Sequence, residues 1–470
     1  MPAHPSLIST EIHQRSLVDF LDFEPTGSQS QAIYALARLL SSQRPRCALL
    51  IKGYAGTGKT TLMRSLVKHL TSMGSEAVLL APTGRAAKVL SQYTGRFSST
   101  IHRHIYRRNV DASGRSHFSL APNKRENVLF IVDEASMLGN DKGVVYNGLL
   151  DDLMAYVFSG PGCKLVLLGD DAQLPPVGLD QSPAMDVDTM RSDYDLTIAG
   201  CTMIDIVRQD AQSAILSLAT AVRMRVFDTE DKNLTLNYSK GPEVFHLDPR
   251  DLADELESCY SHYGVEQVRV ICRSNRSANQ YNQQIRQQVL QLDDRIGGGD
   301  LVMIVRNNYL WTQEEGNMPF IANGDLAEVL YVKEQRQLYE MEFARLGLDF
   351  MDYPDEPTME AMALLDTLEE KSSSMSEDKM SKLYAAVKSD HAFEGGPSSL
   401  QEKMQKDPWY NALQIKFGYA VTCHKAQGGQ WPVVFVDRGY LTDEMMDREF
   451  WKWLYTAVTR ATEKLYLIGF

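Results

Sequence analysis

The chain has 470 residues, room for about three domains that could each bury a core without metal or disulfide staples. Hydrophobic residues at 44% and charged residues at 23% exclude a disordered or fibrous chain. The net charge of −13 argues against a surface built for phosphate attraction, yet 17 acidic against 9 basic residues lie between Tyr331 and Tyr410, which leaves the rest only mildly acidic.

Short apolar runs alternate with amphipathic stretches, the signature of parallel α/β layers. Buried strands are expected at Cys47–Lys52, Ala77–Ala81, Val128–Val132, Leu165–Leu168, Val268–Cys272, Val433–Val436 and Leu465–Ile468. Polar residues fill Arg103 to Lys124, where Asp111-Ala-Ser-Gly114 is suited to turning a hairpin. Leu326 to Ala420 opens with strand-like alternation, has helix-like stretches at Met359–Lys371 and Asp378–Lys388, and reads as a separate insertion. No run of about 18 apolar residues occurs and the N-terminus carries no apolar leader. The six cysteines lie far apart with no C-x-x-C pair, which argues against a zinc ribbon and fits a reducing compartment. A cytoplasmic location is expected by elimination.

Gly53-Tyr-Ala-Gly-Thr-Gly-Lys-Thr60 matches G-x-x-x-x-G-K-[ST] between an apolar run and a plausible helix. Glycines let backbone N–H groups curl around phosphate oxygens, and the helix N-terminus adds positive potential. Gly53, Tyr54, Ala55, Gly56, Thr57, Gly58, Lys59, Thr60 and Thr61 are therefore the candidate ATP contacts. Lys59 would reach the β/γ-phosphates, and the Thr60 hydroxyl would hold Mg²⁺. The strand at Val128 delivers two adjacent carboxylates. Asp133 is a candidate for Mg²⁺, and Glu134 for general base toward the attacking water. A third strand ends in Gly169-Asp-Asp-Ala-Gln-Leu-Pro-Pro-Val-Gly178, where the Gln173 amide is suited to sensing the γ-phosphate.

The order GYAGTGKTT, APTGRAA, SSTIHR, DEAS, GDDAQLPPVG, VRQ, VTCHKAQGGQ and YTAVTRA resembles superfamily 1 helicases. It is most similar to the RecD-like and Dda-like branch, 1B, which moves 5′→3′ on single-stranded DNA. The resemblance runs from about Thr26 to Ala461. It implies two RecA-like P-loop domains with parallel sheets. The first, 1A, would span residues 1–200, with a hairpin insertion 1B at about 103–125. The second, 2A, would span 201–325 and 420–470, and 326–419 would form a small barrel-like insertion, 2B, with a helical acidic excursion. In that branch the hairpin serves as a pin that splits the duplex.

Site residues follow from the same resemblance. Gln29 would read the adenine edge, although a glutamine in the first turn of a helix behind a serine cap is an equally simple use. Gly428 is a further candidate ATP contact. Arg208 and Arg460 match the two arginines that the family's second domain points at the γ-phosphate, where a permanently charged fork suits phosphate oxygens. DNA contacts are expected from Pro82, Thr83 and Arg85, from Thr100 and His102, and from Asn275, Thr422 and His424. Phe97 is a candidate stacking residue, with burial in the core as its alternative. Hydroxyls, imidazoles and backbone amides that hold phosphates read no sequence, so weak base preference is expected.

The resemblance thus implies an ATP- and Mg²⁺-dependent 5′→3′ helicase acting on single strands and junctions. Three rivals stay open on sequence: a translocase that displaces proteins with little unwinding, an RNA helicase, and a nucleotide switch without translocation.

Overall fold

The structure, a computed structural model, describes residues 9–110, 116–140, 148–207, 213–228, 236, 238–308, 310–312, 318, 320–353, 356–372, 374–392 and 397–470. Two compact units divide the chain. The first comprises Met1–Arg107, Ser119–Gly241 and Asp443–Thr459, and the second Arg108–Phe118, Pro242–Thr442 and Arg460–Phe470.

The first unit opens with helices α1 (Thr10–Asp19) and α2 (Gly27–Ser41), strand β1 (Cys47–Gly53) and helix α3 (Lys59–Ser72). Strand β2 (Ala77–Ala81), helix α4 (Gly84–Thr94), strand β3 (Ser98–Thr100) and the short helix α5 (Ile101–Ile105) follow. Strands β4 (Tyr106–Val110) and β5 (Ser116–Leu120) pair as a two-stranded sheet, and the turn expected at Asp111–Gly114 lies outside the described residues. After them come β6 (Leu129–Val132), α6 (Leu149–Ser159), β7 (Lys164–Gly169), α7 (Val187–Tyr194), β8 (Thr197–Met203) and α8 (Ala214–Phe227).

Six of these strands form an all-parallel sheet in the order β3-β2-β6-β7-β1-β8. Its strands β1, β2, β6 and β7 are largely apolar and buried, as in a sheet covered on both faces. Ile33 and Leu36 of α2 and Leu62 and Leu66 of α3 pack on Leu49, Ile51 and Val166, all essentially buried. Each such side chain contributes roughly 1.5–3 kcal/mol. With every strand parallel, the loops leaving the carboxyl ends share one edge, the place where open α/β sheets bind ligands.

The second unit adds strand β9 (Val244–Leu247), helix α9 (Leu252–Tyr263), strand β10 (Val268–Cys272), helix α10 (Asn275–Gln284) and strand β11 (Leu301–Ile304). Then come β12 (Leu326–Leu338), β13 (Met341–Phe350), β14 (Met359–Leu364), α11 (Glu377–Ala392), α12 (Pro397–Lys406), β15 (Leu413–Phe417), β16 (Ala420–Thr422), α13 (Cys423–Ala426), β17 (Trp431–Asp437) and β18 (Ala461–Ile468). A second parallel sheet runs β16-β10-β17-β18-β9, and β11 to β15 close a barrel. The two share one core, in which Val270 and Phe435 of the sheet join Leu301, Leu346 and Phe417 of the barrel. The fold is therefore α/β, with two parallel sheets and a small β-barrel.

Three expectations meet a different arrangement. Met359–Lys371 is not helical: β14 occupies Met359–Leu364, and a single 3₁₀ turn covers Leu365–Leu368. The run Ala361–Leu364 is buried without a polar face, and β13 and β15 pair on its two sides, so tertiary pairing decides an ambiguous apolar segment. The barrel begins at Leu301, before the insertion's expected start at Leu326, because β11 pairs with both β12 and β15. The last helix, α14 (Arg448–Val458), groups with the first unit and packs on α8, which divides the stretch 420–470 expected as one piece. Among the described residues, no helix is long and apolar enough to cross a membrane.

Candidate nucleotide-binding site

The phosphate loop joins β1 to α3 within the first unit. Gly56 and Gly58 have φ of +73° and +84°, a region that costs a residue with a Cβ, so the glycines are required here. Gly58 caps α3 with no side chain, which leaves the helix's first amides pointing into the loop. The loop is braced internally: Thr57, fully buried, donates from Oγ1 to the Tyr54 carbonyl at 2.8 Å. Lys59 Nζ donates to the Gly53 carbonyl at 2.5 Å and the Tyr54 carbonyl at 3.0 Å. Thr60 and Thr61 stand half-buried in the first turn of α3.

Two neighbours support the loop from outside. Gln29 is the third residue of α2 in a capping box with Thr26, not behind the serine cap the sequence suggested. Its Oε1 accepts from the Thr26 N–H at 2.9 Å, and its Nε2 donates to the Thr57 carbonyl at 3.0 Å. Both ends of the amide are thus engaged within the chain. The Val207 N–H donates to the Gly56 carbonyl at 3.0 Å, and Asp205 accepts from the backbone and hydroxyl of Ser28. This carries the chain along the loop up to residue 207. Arg208 lies outside the described residues.

The acid pair follows β6. Asp133 Oδ1 accepts from the Glu134 N–H at 2.9 Å. Burial, then the adjacent Glu134 charge, hold the Asp133 carboxyl well above the usual carboxylate range, against the pull of that N–H bond and of Lys59. Glu134 has φ of +54°, the left-handed region for a side-chain residue. Such a conformation costs about 1–3 kcal/mol and persists where the surroundings impose it, often at functional sites.

At the end of β7, Asp170 is buried and accepts from the Ala172 N–H at 3.0 Å and from the Tyr455 hydroxyl at 2.7 Å. Asp171 pairs with Lys52 at 3.1 Å. Gln173 is 5% exposed, and its Oε1 is a buried acceptor with no hydrogen-bond partner. A buried orphan oxygen is costly unless something completes it, as a water or a ligand does.

The nucleic-acid candidates of the first unit lie on the same carboxyl edge. Pro82 and Thr83 follow β2, and Thr83 caps α4 by accepting from the Ala86 N–H at 3.2 Å, with Arg85 half-buried in that first turn. Thr100 ends β3 and caps α5 through the Arg103 N–H, and burial lowers the basicity of the half-buried His102 imidazole. Phe97 is 71% exposed, which removes its core alternative, and the Arg103 guanidinium lies 5.4 Å from its ring centre.

Within the second unit, Thr422 pairs in register with Cys272, so Asn275 and Thr422 leave neighbouring strand ends. Ser274 rather than Asn275 caps α10. His424 is half-buried in α13, and Gly428 follows with φ of +71°. Arg460 is 3% exposed and donates to the Gly429 carbonyl at 3.2 Å. Among the described residues, no group of three or more His, Cys, Asp or Glu gathers as a metal site.

The sequence reading passed over Tyr455, Thr456 and Asp170. All three sit inside motifs it quoted, and only their long-range partners mark them out.

Residues 26–232 match the AAA domain family, and residues 417–468 match the UvrD-like helicase C-terminal domain. The chain is 39% identical over 129 residues to the ATP-dependent RecD2 DNA helicase of Deinococcus radiodurans, covering 27% of this chain and 16% of that one. It is 26% identical over 297 residues to the ATP-dependent DNA helicase dda of Enterobacteria phage T4, covering 59% and 60%. Both matches span less than two thirds of the relative's length. A crystal structure of Pif1 helicase from Bacteroides with ADP-AlF3 and single-stranded DNA aligns over 96% of this chain and 93% of that one, at 15% identity and a TM-score of 0.47. The phosphate loop and the parallel sheet that carries it lie within the segment that matches the AAA domain family. Two segments of the chain thus match domain families, the second of them a helicase C-terminal domain, and the two helicase relatives are similar to this chain over part of their length.

Proposed function

We propose that the chain is an ATP-dependent motor that moves 5′→3′ on single-stranded DNA and separates duplex ahead of it. The carrying observation is that the phosphate loop, the acid pair, Gln173 and the Thr83 and Thr100 loops all leave the carboxyl edge of one parallel sheet. Nucleotide chemistry and strand contacts then lie on a single rigid layer. Under this reading the first compact unit acts as the 1A motor domain, the parallel sheet of the second as 2A, and the barrel region as 2B.

Thr60 and Asp133 would hold Mg²⁺, and the donor set fits: hard oxygen ligands suit this cation. Asp133 is moreover a buried carboxylate crowded by Glu134, a charge arrangement that a divalent cation relieves. The bound ion would neutralise charge on the transferring phosphoryl group. Lys59 and the first amides of α3 would cradle the β/γ-phosphates. Glu134 would take the proton of the attacking water, and the unpaired Gln173 Oε1 would accept from that water to orient it. Arg208 and Arg460 are assigned by motif position to the phosphoryl charge.

Thr83, Arg85, Thr100 and His102, with Asn275, Thr422 and His424, would hold the sugar-phosphate backbone, and Phe97 would stack a base. DNA is favoured over RNA by the named relatives, both of which are DNA helicases. The test is ATPase with and without single-stranded oligonucleotide, followed by strand displacement on 5′- and 3′-tailed duplexes. Stimulation by DNA and preference for the 5′ tail are expected, whereas turnover indifferent to DNA rules out the motor.

A further inference from the structure

Three residues of helix α14 make hydrogen bonds that the motor reading does not use. Tyr455 is 1% exposed, and its hydroxyl accepts from the Ala55 N–H of the phosphate loop at 2.8 Å while donating to Asp170 Oδ2 at 2.7 Å. The next residue, Thr456, accepts at Oγ1 from the Leu174 N–H at 2.8 Å. One turn earlier, Lys452 Nζ donates to the Asp180 carbonyl at 3.1 Å. Positions 452, 455 and 456 share one helix face, since residues three and four apart are neighbours. That face therefore grips the loop after β7 at its start, beside Gln173 and at its far end. Through a single phenol it also reaches the phosphate loop.

We propose that Tyr455 is a positioning residue for ATP turnover, its hydroxyl latching the phosphate loop and the Gln173 loop into one arrangement. The idea rests on the ATP-motor reading above. A phenol is suited to the task because one oxygen both donates and accepts, so it ties the two loops together at one atom, beside the hydrogen bond between Tyr54 and Asp171. Burial pushes the Tyr455 phenol far up, so it stays protonated and remains a donor to Asp170 at any working pH. The stakes are geometric, since a displacement of about 1 Å in a catalytic group is worth up to about 10²-fold in rate. The chain runs from α14 through Thr459 straight into Arg460, so the latch helix also begins the segment carrying the motif's arginine.

Tyr455→Phe removes one oxygen and keeps the ring, leaving the packing intact. In the full chain with saturating oligonucleotide, kcat should fall at least about tenfold while KM for ATP moves less than about threefold. An unchanged kcat, or a raised KM with kcat intact, overturns the proposal. Should Tyr455→Phe prove unstable by melting, Thr456 decides. Thr456→Val should lose turnover and Thr456→Ser, which keeps the acceptor, should retain it; equal rates in the two overturn the latch. Hydrogen exchange gives an independent reading that needs no turnover. Peptides covering residues 53–58 and 170–180 should both exchange about tenfold faster in Tyr455→Phe, as loss of one buried hydrogen bond implies. Unchanged exchange in both overturns the latch. A wild-type chain without DNA-stimulated ATPase would instead count against the motor, with the latch still judged by exchange.

Discussion

The phosphate loop and the loop after β7 reach the same site by opposite means. The first is braced largely within eight residues, with Gln29, Val207 and Tyr455 added from outside: Thr57 bonds Tyr54, Lys59 bonds Gly53 and Tyr54, and two glycines supply the left-handed turns. The second, with Gln173 at its centre, is pinned along its length by Tyr455, Thr456 and Lys452, more than 270 residues away, besides the Asp171 pair with Lys52 and the local Asp170 bond to Ala172. Local geometry is written where it is used, whereas long-range geometry is split between two places in the chain. The difference teaches that chemistry and its alignment are separable here, and substitutions should separate them.

The largest effect should come from local chemistry. Glu134→Gln keeps shape and hydrogen-bonding capacity but removes the proposed base, so turnover should drop about 10²–10⁴-fold while nucleotide affinity is retained. A stopped assay for phosphate release beside an equilibrium titration with a fluorescent nucleotide checks both halves. Turnover equal to wild type would take Glu134 out of the mechanism.

Next comes the geometry of the local loop itself. Gly58→Ala places a Cβ 2.6 Å from Gln29 Nε2 at a φ of +84°. The left-handed strain costs roughly 1–2 kcal/mol. The overlap additionally displaces the Gln29 amide from Thr57, so KM for ATP should rise about tenfold or more. Gln29→Ala in the same background relieves the overlap but not the strain, and so should restore affinity only in part. Full recovery in the double variant would mean that backbone conformation at Gly58 does not matter.

That contrast also explains what the sequence made legible. Buried strands such as Val268–Cys272 and Ala77–Ala81 lie at the bounds read from their apolar runs, and the phosphate loop, the acid pair and the Gln173 motif each follow a strand end, because these features need only neighbouring residues. Met359–Leu364 was misread as helical because its apolar run fits either period, and only the flanking strands of the barrel choose between them. Tyr455 stands five residues before Arg460 in the same motif. Nothing within ten residues reveals that its hydroxyl meets Ala55 and Asp170. The sequence alternative for Gln29, a first-turn place behind a serine cap, missed the capping box that it forms with Thr26 three positions earlier.

The smallest expected effect is a shift in pH dependence, and its sign is fixed by the charges around Asp133. Burial and the Glu134 carboxylate raise its proton affinity, while Lys59 lowers it. A protonated Asp133 holds a cation poorly, so Mg²⁺-nucleotide affinity should weaken as pH falls through this raised value, above the ordinary aspartate range near about 4. Stability runs the other way. A carboxyl whose folded proton affinity exceeds its unfolded one favours folding at low pH, and that contribution is lost as pH rises from about 4 through the raised value. Acid loss of affinity at this group is therefore not unfolding caused by the same group. Glu134→Gln removes the like charge and should move the binding midpoint to lower pH, measured by nucleotide titration with Mg²⁺ across pH 5 to 8, a range of about three units. A midpoint that stays fixed or moves upward would mean that the two carboxylates do not sense each other, and that burial alone sets the proton affinity of Asp133.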